Sequence, residues 1–309
     1  GILATRCLTS RIRILPLDEI RPHEENDPHI LLTITNSLMT EGVLHDPILV
    51  DSENNVILDG THRYWALTRL GCRAVPVALY DYSLPEVSIG CWYRCLSRTP
   101  SIGWANLMNT PPGTMDEGLR AVTRREGLLS ILYRDRSFTI ASKNFDIFEA
   151  YRLLSFFESA MRGQDSGLSF ATERDALERL RQGEVEAVLA PPPIKKSEVV
   201  QAARARQLFP IKSTRHVIRS RPIGINVPLD WLMDRVESLA QKMEAMLSSG
   251  TFTALPRGTI INGRRYEEEI YIFEPSSFGG GYQGGSKGES KVPRSSKGTI
   301  GKTRARRIH

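Results

Sequence analysis

Asp59-Gly60-Thr61-His62-Arg63 is the segment of this sequence whose residue types are best suited to bind a phosphate. It follows an apolar run and precedes a stretch with helical periodicity. A strand that turns at a glycine into a helix directs unpaired backbone N–H groups at one point, which attracts anions. His62 and Arg63 add side-chain donors, and Asp59 could hold the Mg²⁺ that accompanies a nucleotide. The alternative is an ordinary helix start in which Asp59 caps the helix.

Two adjacent glutamates, Glu24 and Glu25, lie in a loop flanked by prolines, where no core pattern explains them. Either is a candidate general base if the loop packs against the Asp59 turn, because a base must reach the proton that it removes. The competing interpretation is a pair of solvated surface carboxylates. The sequence leaves the choice between the two residues open.

Lys212-Ser213-Thr214-Arg215-His216 concentrates two cations, two hydroxyl groups and an imidazole within five residues. This composition suits the binding of a carboxylate or a phosphate. An exposed polar turn is the alternative. The cluster lies between two apolar stretches, which favours a position close to the folded body.

The elements that must position these segments follow from periodicity and turn residues. Trp92 lies in a predicted strand, where a core or sheet-face role explains it. In the first hundred residues we predict helices from 28 or 29 to 41 and after Gly60, and strands at 11–17, 47–50, 56–58 and 75–80, the middle two forming a hairpin.

A loop rich in Pro, Gly and Asn from Thr99 to Gly113 marks a boundary, after which a second α/β unit follows. We predict strands at 128–133, 137–141, 185–190, 216–218 and 223–227, and helices around 147–154, 172–181, 197–207 and 230–247. The predicted parts are a first domain at 1–113, a second α/β domain at 114–207, a substrate-binding segment with a C-terminal helix that packs back on the body at 208–275, and a disordered basic tail at 276–309.

The net charge of +6 comes from the C-terminal tail. Residues 276–309 carry eight Lys and Arg against one acid, which leaves a net charge of about −1 for the rest of the 309-residue chain. Nucleic-acid binding by the folded body is therefore not expected, although the tail could contribute it.

The four cysteines have neither the spacing of a zinc site nor the density of a disulfide scaffold, so we expect reduced thiols. No apolar run approaches the length of a membrane span, and the N-terminus lacks the order of a secretory signal. A cytoplasmic protein without membrane attachment is the expectation.

With Asp59-Gly60-x-His62-Arg63 between a hairpin and a helix, the first hundred residues resemble the ParB/sulfiredoxin-like fold, which binds nucleotide phosphates at this turn. Sulfiredoxin has a cysteine where this chain has Thr61, so peroxiredoxin repair is not expected. Residues 11–230 are similar to the free L-serine kinase (SerK) family. That family carries His-Glu in the early loop, Asp-Gly-His-His-Arg at the turn and a later Lys-x-Thr-Arg-His.

The resemblance implies roles for individual residues of this chain. Glu24 would be the base for the serine hydroxyl, with Glu25 as a substitute, and Asp59 an acid near metal and phosphates. Thr61 departs from the family's first histidine, which puts the nucleotide contacts at that position in doubt. By resemblance, the phosphate cradle is Gly60, His62 and Arg63, with Thr61 beside them, and the serine or phosphoserine site is Trp92, Lys212, Thr214, Arg215 and His216.

The resemblance therefore predicts a Mg²⁺-dependent kinase that transfers a phosphoryl group from ATP or ADP to free L-serine, and it implies a role in cysteine biosynthesis. Phosphoryl transfer needs positioning and charge neutralisation more than covalent help, which these residue types can supply. The donor, the oligomeric state and the purpose of the tail stay open. The alternative is a ParB-type nucleotide-dependent DNA-binding regulator, although no convincing helix-turn-helix follows the first domain.

Overall fold

A four-stranded sheet in the order β1-β5-β3-β4 positions the Asp59 turn. The structure, a computed structural model, describes residues 2–99 and 109–276, so the predicted basic tail beyond Ser276 and most of the predicted boundary loop lie outside the described residues. Residues 1–276 form one compact unit. The elements of its first part are α1 (Ile2–Arg11), β1 (Ile12–Pro16), α2 (Pro28–Glu41), β2 (Val43–Leu44), β3 (Ile48–Asp51), β4 (Ile57–Asp59), α3 (Thr61–Arg69) and β5 (Ala74–Tyr80).

The predicted hairpin is present, with β3 and β4 antiparallel, and β5 lies parallel to β3. The predicted helix α2 begins after Asp27, whose carboxylate accepts hydrogen bonds from the backbone N–H groups of His29 and Ile30. Gly42 ends it in the left-handed conformation at φ 67°. The signals that predicted the helix were its apolar periodicity, Pro28 in the first turn and this glycine stop, whereas the Asp27 cap was not among them.

A second, five-stranded sheet in the order β10-β7-β11-β8-β9 stands beside the first. The predicted pair 128–133 and 137–141 appears as β8 and β9, which are antiparallel. The predicted first domain, 1–113, supplies β7 to this sheet. Its elements are β6 (Val87–Gly90), β7 (Trp92–Leu96), α4 (Met115–Thr123), β8 (Gly127–Leu132), β9 (Ser137–Ala141), α5 (Ile147–Arg162), β10 (Ser169–Thr172), α6 (Glu173–Gln182), β11 (Ala187–Ala190) and α7 (Lys196–Arg204).

The C-terminal part returns to the first sheet and adds a hairpin that the sequence analysis did not predict. The predicted strand 223–227 is two short strands, and the predicted helix 230–247 is a 3₁₀ turn at Leu229–Met233 followed by a shorter helix whose apolar side chains join the core of the first sheet. The elements are β12 (Arg215–Ile218), β13 (Arg221–Ile223), β14 (Val227–Pro228), α8 (Val236–Ser248), β15 (Gly250–Leu255), β16 (Ile260–Ile261), β17 (Arg264–Arg265) and β18 (Ile270–Pro275).

Two large cores hold these layers together, and the α/β prediction is confirmed. The core between the two sheets contains the stacked pair Phe148 and Phe209, whose ring centroids are 4.2 Å apart. Because Phe209 also pairs with the loop that carries Glu24, this core fixes the base loop to the second half of the molecule. None of the described helices is both long and apolar enough to cross a bilayer.

Candidate functional site

The turn after β4 has the geometry of an anion cradle. Asp59 ends β4, and Gly60 stands at the start of α3 with φ 108°, a conformation that L side chains rarely adopt. A Cβ at Gly60 would lie 3.0 Å from Arg63 Nη2, so the glycine also lets this guanidinium fold back over the turn. No N-cap side chain bonds to the first N–H groups of α3, and a cation lies beside them, an arrangement that suits phosphate binding.

Other groups hold the turn in place. Arg63 Nη1 donates to the backbone carbonyls of Asp46 at 3.0 Å and Pro47 at 2.8 Å. The backbone N–H of Asp27 donates to His62 Nε2 at 2.9 Å. This bond makes Nε2 the acceptor and assigns the proton of the neutral ring to Nδ1. Burial lowers the pKa of His62, which favours that neutral form.

Asp59 lies at the centre of an arginine cluster that the sequence analysis did not find. Its Oδ2 accepts from Arg221, lies 3.3 Å from Arg63 Nη2 and lies 3.7 Å from Arg264 Nη1. Arg221 is 3% exposed and also donates to Glu268 through Nε at 3.0 Å. Burial alone would raise the pKa of Asp59, but the charges of the three guanidinium groups hold it well below its usual range. Asp59 is therefore a permanent anion.

The surroundings of Glu24 raise its pKa, whereas those of Asp59 lower it. Glu24 is half-buried, and its Oε1 accepts from the backbone N–H of Ser213 and, at 3.2 Å, from that of Thr214. Burial raises the pKa of Glu24 to about 7, although the two N–H groups and the charges of Arg94 and Lys212 oppose the rise. A carboxylate in this state can take up a proton near neutral pH. Glu25 is exposed, and its backbone N–H pairs with Phe209.

Arg94, which the sequence analysis did not single out, fixes the backbone of the Lys212 segment. It is fully buried on β7, and Nε donates to Glu158 at 2.5 Å. Nη1 donates to the carbonyl of Lys212 at 2.9 Å and Nη2 to that of Ile211 at 3.2 Å. Lys212 adopts φ 58°, and this left-handed residue precedes the two N–H groups that meet Glu24. Only burial, which the alternation of a strand does not reveal, distinguishes Arg94 from a surface arginine.

The two fully buried histidines of the site, His23 and His216, are neutral. His23 Nε2 lies 2.9 Å from Thr214 Oγ1, and His216 Nε2 lies 2.7 Å from the Tyr82 hydroxyl. Burial lowers the pKa of His23 to about 4 and that of His216 to about 3. The rings stand edge to face with centroids 5.7 Å apart. They can therefore exchange hydrogen bonds at neutral pH without adding charge.

The ring of Trp92 contacts the two cations of the Lys212–His216 segment. Lys212 Nζ lies 4.9 Å from the ring centroid and Arg215 Cζ lies 5.9 Å from it. Arg215 also donates to Glu267 at 2.8 Å. Trp92 lies on β7 and lines the cavity, which agrees with the sheet-face role among the two that its strand position favoured.

A single cavity of about 630 Å³ brings all of the sequence-predicted site residues together. It is large enough for a nucleotide with a small second substrate. The residues that sequence reasoning missed are Arg94, Arg221 and the segment from β17 to Glu268, which no local motif marks. The predicted site residues that line this cavity are Glu24, Glu25, Asp59, Gly60, Thr61, His62, Arg63, Trp92, Lys212, Thr214, Arg215 and His216.

Within residues 2–99 and 109–276, the structure contains no cluster of three or more side chains that alone could bind a metal ion. Mg²⁺ commonly takes one or two protein carboxylates and completes its octahedron with phosphates and water. Asp59 fits this role, since it stays ionised and all of its ion pairs with the described residues are made by Oδ2. A Mg²⁺ that arrives with a nucleotide is compatible with this donor set.

Comparisons with known proteins agree with the resemblance drawn from the sequence. No protein-family model matches the chain. An ATP-dependent L-serine kinase of Staphylothermus marinus is 27% identical over 235 residues, which cover 71% of this chain and 90% of the relative. An ADP-dependent L-serine kinase, SerK, of Thermococcus kodakarensis is 24% identical over 230 residues, which cover 71% and 91% of the two chains.

Among solved structures, a free serine kinase in complex with AMP has the same fold, with a TM-score of 0.60 and 22% identity over 72% of this chain and 93% of the other. The ParB/sulfiredoxin-like fold predicted from the turn and hairpin is thereby confirmed. The matched regions span most of each relative's length. The chain is accordingly a relative of the free L-serine kinases.

Proposed function

We propose that this protein is a phosphotransferase that moves the terminal phosphoryl group of ATP or ADP to the hydroxyl group of free L-serine. The observation that carries the proposal is Glu24, a carboxylate with a pKa raised to about 7 in the same cavity as the anion-binding turn. A general base works best with a pKa near the working pH. The similarity of the chain to an ATP-dependent and to an ADP-dependent L-serine kinase supports the same reaction.

In this proposal the donor's phosphates lie on the N–H groups after Gly60, beside His62 and Arg63. The serine carboxylate pairs with the cations Lys212 and Arg215. Two cations held on one aromatic ring suit a small carboxylate, because the ring orders them without neutralising them. The hydroxyl of serine then faces the loop that carries Glu24.

The reaction follows from these positions. Glu24 accepts the hydroxyl proton as the serine oxygen forms a bond to the terminal phosphorus. The bond from that phosphorus to its bridging oxygen breaks, and ADP leaves when ATP is the donor, or AMP when ADP is the donor. The neutral histidines His23 and His216 orient hydroxyl groups, and Mg²⁺, when bound through Asp59, would neutralise charge on the phosphates.

The test is incubation of the full chain with L-serine, Mg²⁺ and either ATP or ADP, with O-phosphoserine followed by phosphorus NMR. Serine replaced by L-alanine is the matched control, since alanine lacks only the hydroxyl group. We expect product with serine and at least one donor. No product with either donor would contradict the proposal.

The regulator alternative rests on the basic residues beyond Ser276. The test is to measure DNA binding by the full chain and by residues 1–276 at several salt concentrations. Contacts to DNA phosphates weaken steeply as salt rises. Binding that disappears with the tail leaves no role for the folded body as a DNA reader. Retained, salt-sensitive binding by residues 1–276 would favour the regulator.

A further inference from the structure

The C-terminal hairpin contacts both halves of the cavity. On β17, Arg264 Nη1 lies 3.7 Å from Asp59 Oδ2, and between β17 and β18 Glu267 accepts from Arg215 at 2.8 Å. One short segment thus connects the phosphate-binding turn to the Lys212 segment. We call the part of the cavity around Asp59 and the Gly60 turn the donor half, and the part around Glu24 and the Lys212 segment the acceptor half. In a transferase the transferred group must pass from one to the other, and this segment contacts both.

The charges around Asp59 are not balanced. Three guanidinium groups, those of Arg63, Arg221 and Arg264, share Asp59 and Glu268 as their carboxylate partners. One positive charge is therefore in excess at the N-terminus of α3, where the helix dipole adds more. Such an excess favours a bound anion.

Among the three arginines, Arg264 is the one that can move to a ligand. Arg63 is held by two carbonyl groups, and Arg221 is buried between two carboxylates. The side chain of Arg264 is 50% exposed, and its pair with Asp59 is the longest of the three. Its guanidinium carbon Cζ also lies 4.8 Å from the centroid of the Tyr266 ring. The tyrosine ring holds the arginine at the cavity without neutralising it.

We propose that Arg264 binds the terminal phosphate of the nucleotide donor. The proposal rests on the proposed function for the identity of the donor. Arg63 and the backbone N–H groups would bind the phosphates nearer the nucleoside, and Arg264 would bind the phosphoryl group to be transferred. A planar guanidinium suits this role, since it donates two parallel hydrogen bonds to phosphate oxygens.

Equilibrium binding of AMP, ADP and ATP, measured by calorimetry without serine, tests the assignment. For Arg264→Ala we expect about tenfold or greater loss of affinity for the nucleotide that carries the contacted phosphate, because a hydrogen bond to a charged group is lost. Affinity for AMP should change by less than about twofold. Arg264→Lys keeps the charge but not the paired donors, so its loss should be smaller.

Arg257→Ala is the matched control, because Arg257 is an exposed arginine of the same hairpin outside the 630 Å³ cavity. It should leave all three affinities unchanged. Equal loss for AMP, ADP and ATP in Arg264→Ala, or no loss, overturns the assignment. Because serine is absent from the assay, a wild-type protein that binds these nucleotides but makes no phosphoserine contradicts the proposed function and not the role of Arg264.

Discussion

The two halves of the cavity shift the pKa of their carboxyl groups in opposite directions. On the donor half, three arginines keep Asp59 ionised, and its pKa lies well below the usual range. On the acceptor half, burial raises the pKa of Glu24 to about 7 and keeps His23 and His216 neutral. The donor half therefore offers fixed charge, and the acceptor half offers groups that can gain or share a proton.

This contrast arises from side-chain partners rather than from burial alone. Asp59 and Glu24 are both half-buried carboxylates. Arginine guanidinium groups face Asp59, whereas uncharged backbone N–H groups face Glu24. A full charge stabilises a carboxylate more than an amide dipole does. The comparison teaches that one cavity can hold a permanent anion and a titratable base side by side.

The largest expected effect is that of Glu24→Gln, which removes the proposed base and keeps the shape of the side chain. We expect kcat to fall by about 10²–10⁴-fold with little change in nucleotide affinity, since general base catalysis contributes about that much. Steady-state kinetics of serine phosphorylation and calorimetry with ADP measure the two quantities. Glu25→Gln, next to it in an exposed position, is the control and should retain near wild-type turnover. The reverse order of effects would assign the base to Glu25.

Next in size is the effect of Arg94→Met on the acceptor half. It leaves Glu158 without its buried partner, so the free energy of unfolding should fall by about 3–5 kcal/mol in urea titrations. The double variant Arg94→Met, Glu158→Met removes both charges and should recover much of the stability. Its KM for serine should still be raised, because the carbonyls of Ile211 and Lys212 keep no donor from Arg94.

Arg98→Met, at an exposed position four residues later, is the control for both measurements. If the double variant had a normal KM for serine, Arg94 would contribute to stability alone and not to serine binding. A change confined to nucleotide affinity would contradict its assignment to the acceptor half.

Asp59→Asn probes the donor half with a smaller effect on folding. Three guanidinium groups would then repel one another around a neutral amide. We expect the free energy of unfolding to fall by about 1–3 kcal/mol, less than for a fully buried pair because the Asp59 side chain is 27% exposed. Urea titration measures the change, and the exposed Asp18→Asn is the control. Unchanged stability would mean that the arginine cluster does not depend on this carboxylate.

The smallest effect is a pH dependence that belongs to Glu24. In the proposed mechanism the deprotonated carboxylate is the active base, so kcat/KM should rise with pH through about 7, by roughly tenfold between about pH 6 and about pH 8. The same raised pKa favours the folded state at low pH, a contribution fully present below about 4.5 and lost as pH rises through about 7. If the residual activity of Glu24→Gln kept the same dependence on pH, the pKa of about 7 would have to belong to another group.

Much of the donor half could be predicted because its signals are local. Pro28, the glycine at position 42 and the turn at Gly60 each determine their own backbone within a few residues. The acceptor half depends on distant contacts. Nothing near Arg94 in the sequence indicates that it is buried, and its partner Glu158 lies 64 residues away.

The C-terminal hairpin was missed for a different reason. Its strands alternate apolar and polar residues, as in Thr251-Phe252-Thr253, which is a usable strand signal. Arg264, however, lies on a two-residue strand after an Asn262-Gly263 turn, where periodicity carries no information about which site the side chain reaches. Pairing between β15 and β18 decides that placement.

The bond between Glu24 and the backbone of Ser213 spans 189 residues of sequence. During synthesis the turn at Gly60 can form early, but the Glu24 carboxylate has no partner until residues 209–214 have been made. Contacts of such separation are slow to form because loop closure must precede them. A nascent chain can therefore form the turn at Gly60 well before Ser213 and Arg221, the distant partners of Glu24 and Asp59, have been made.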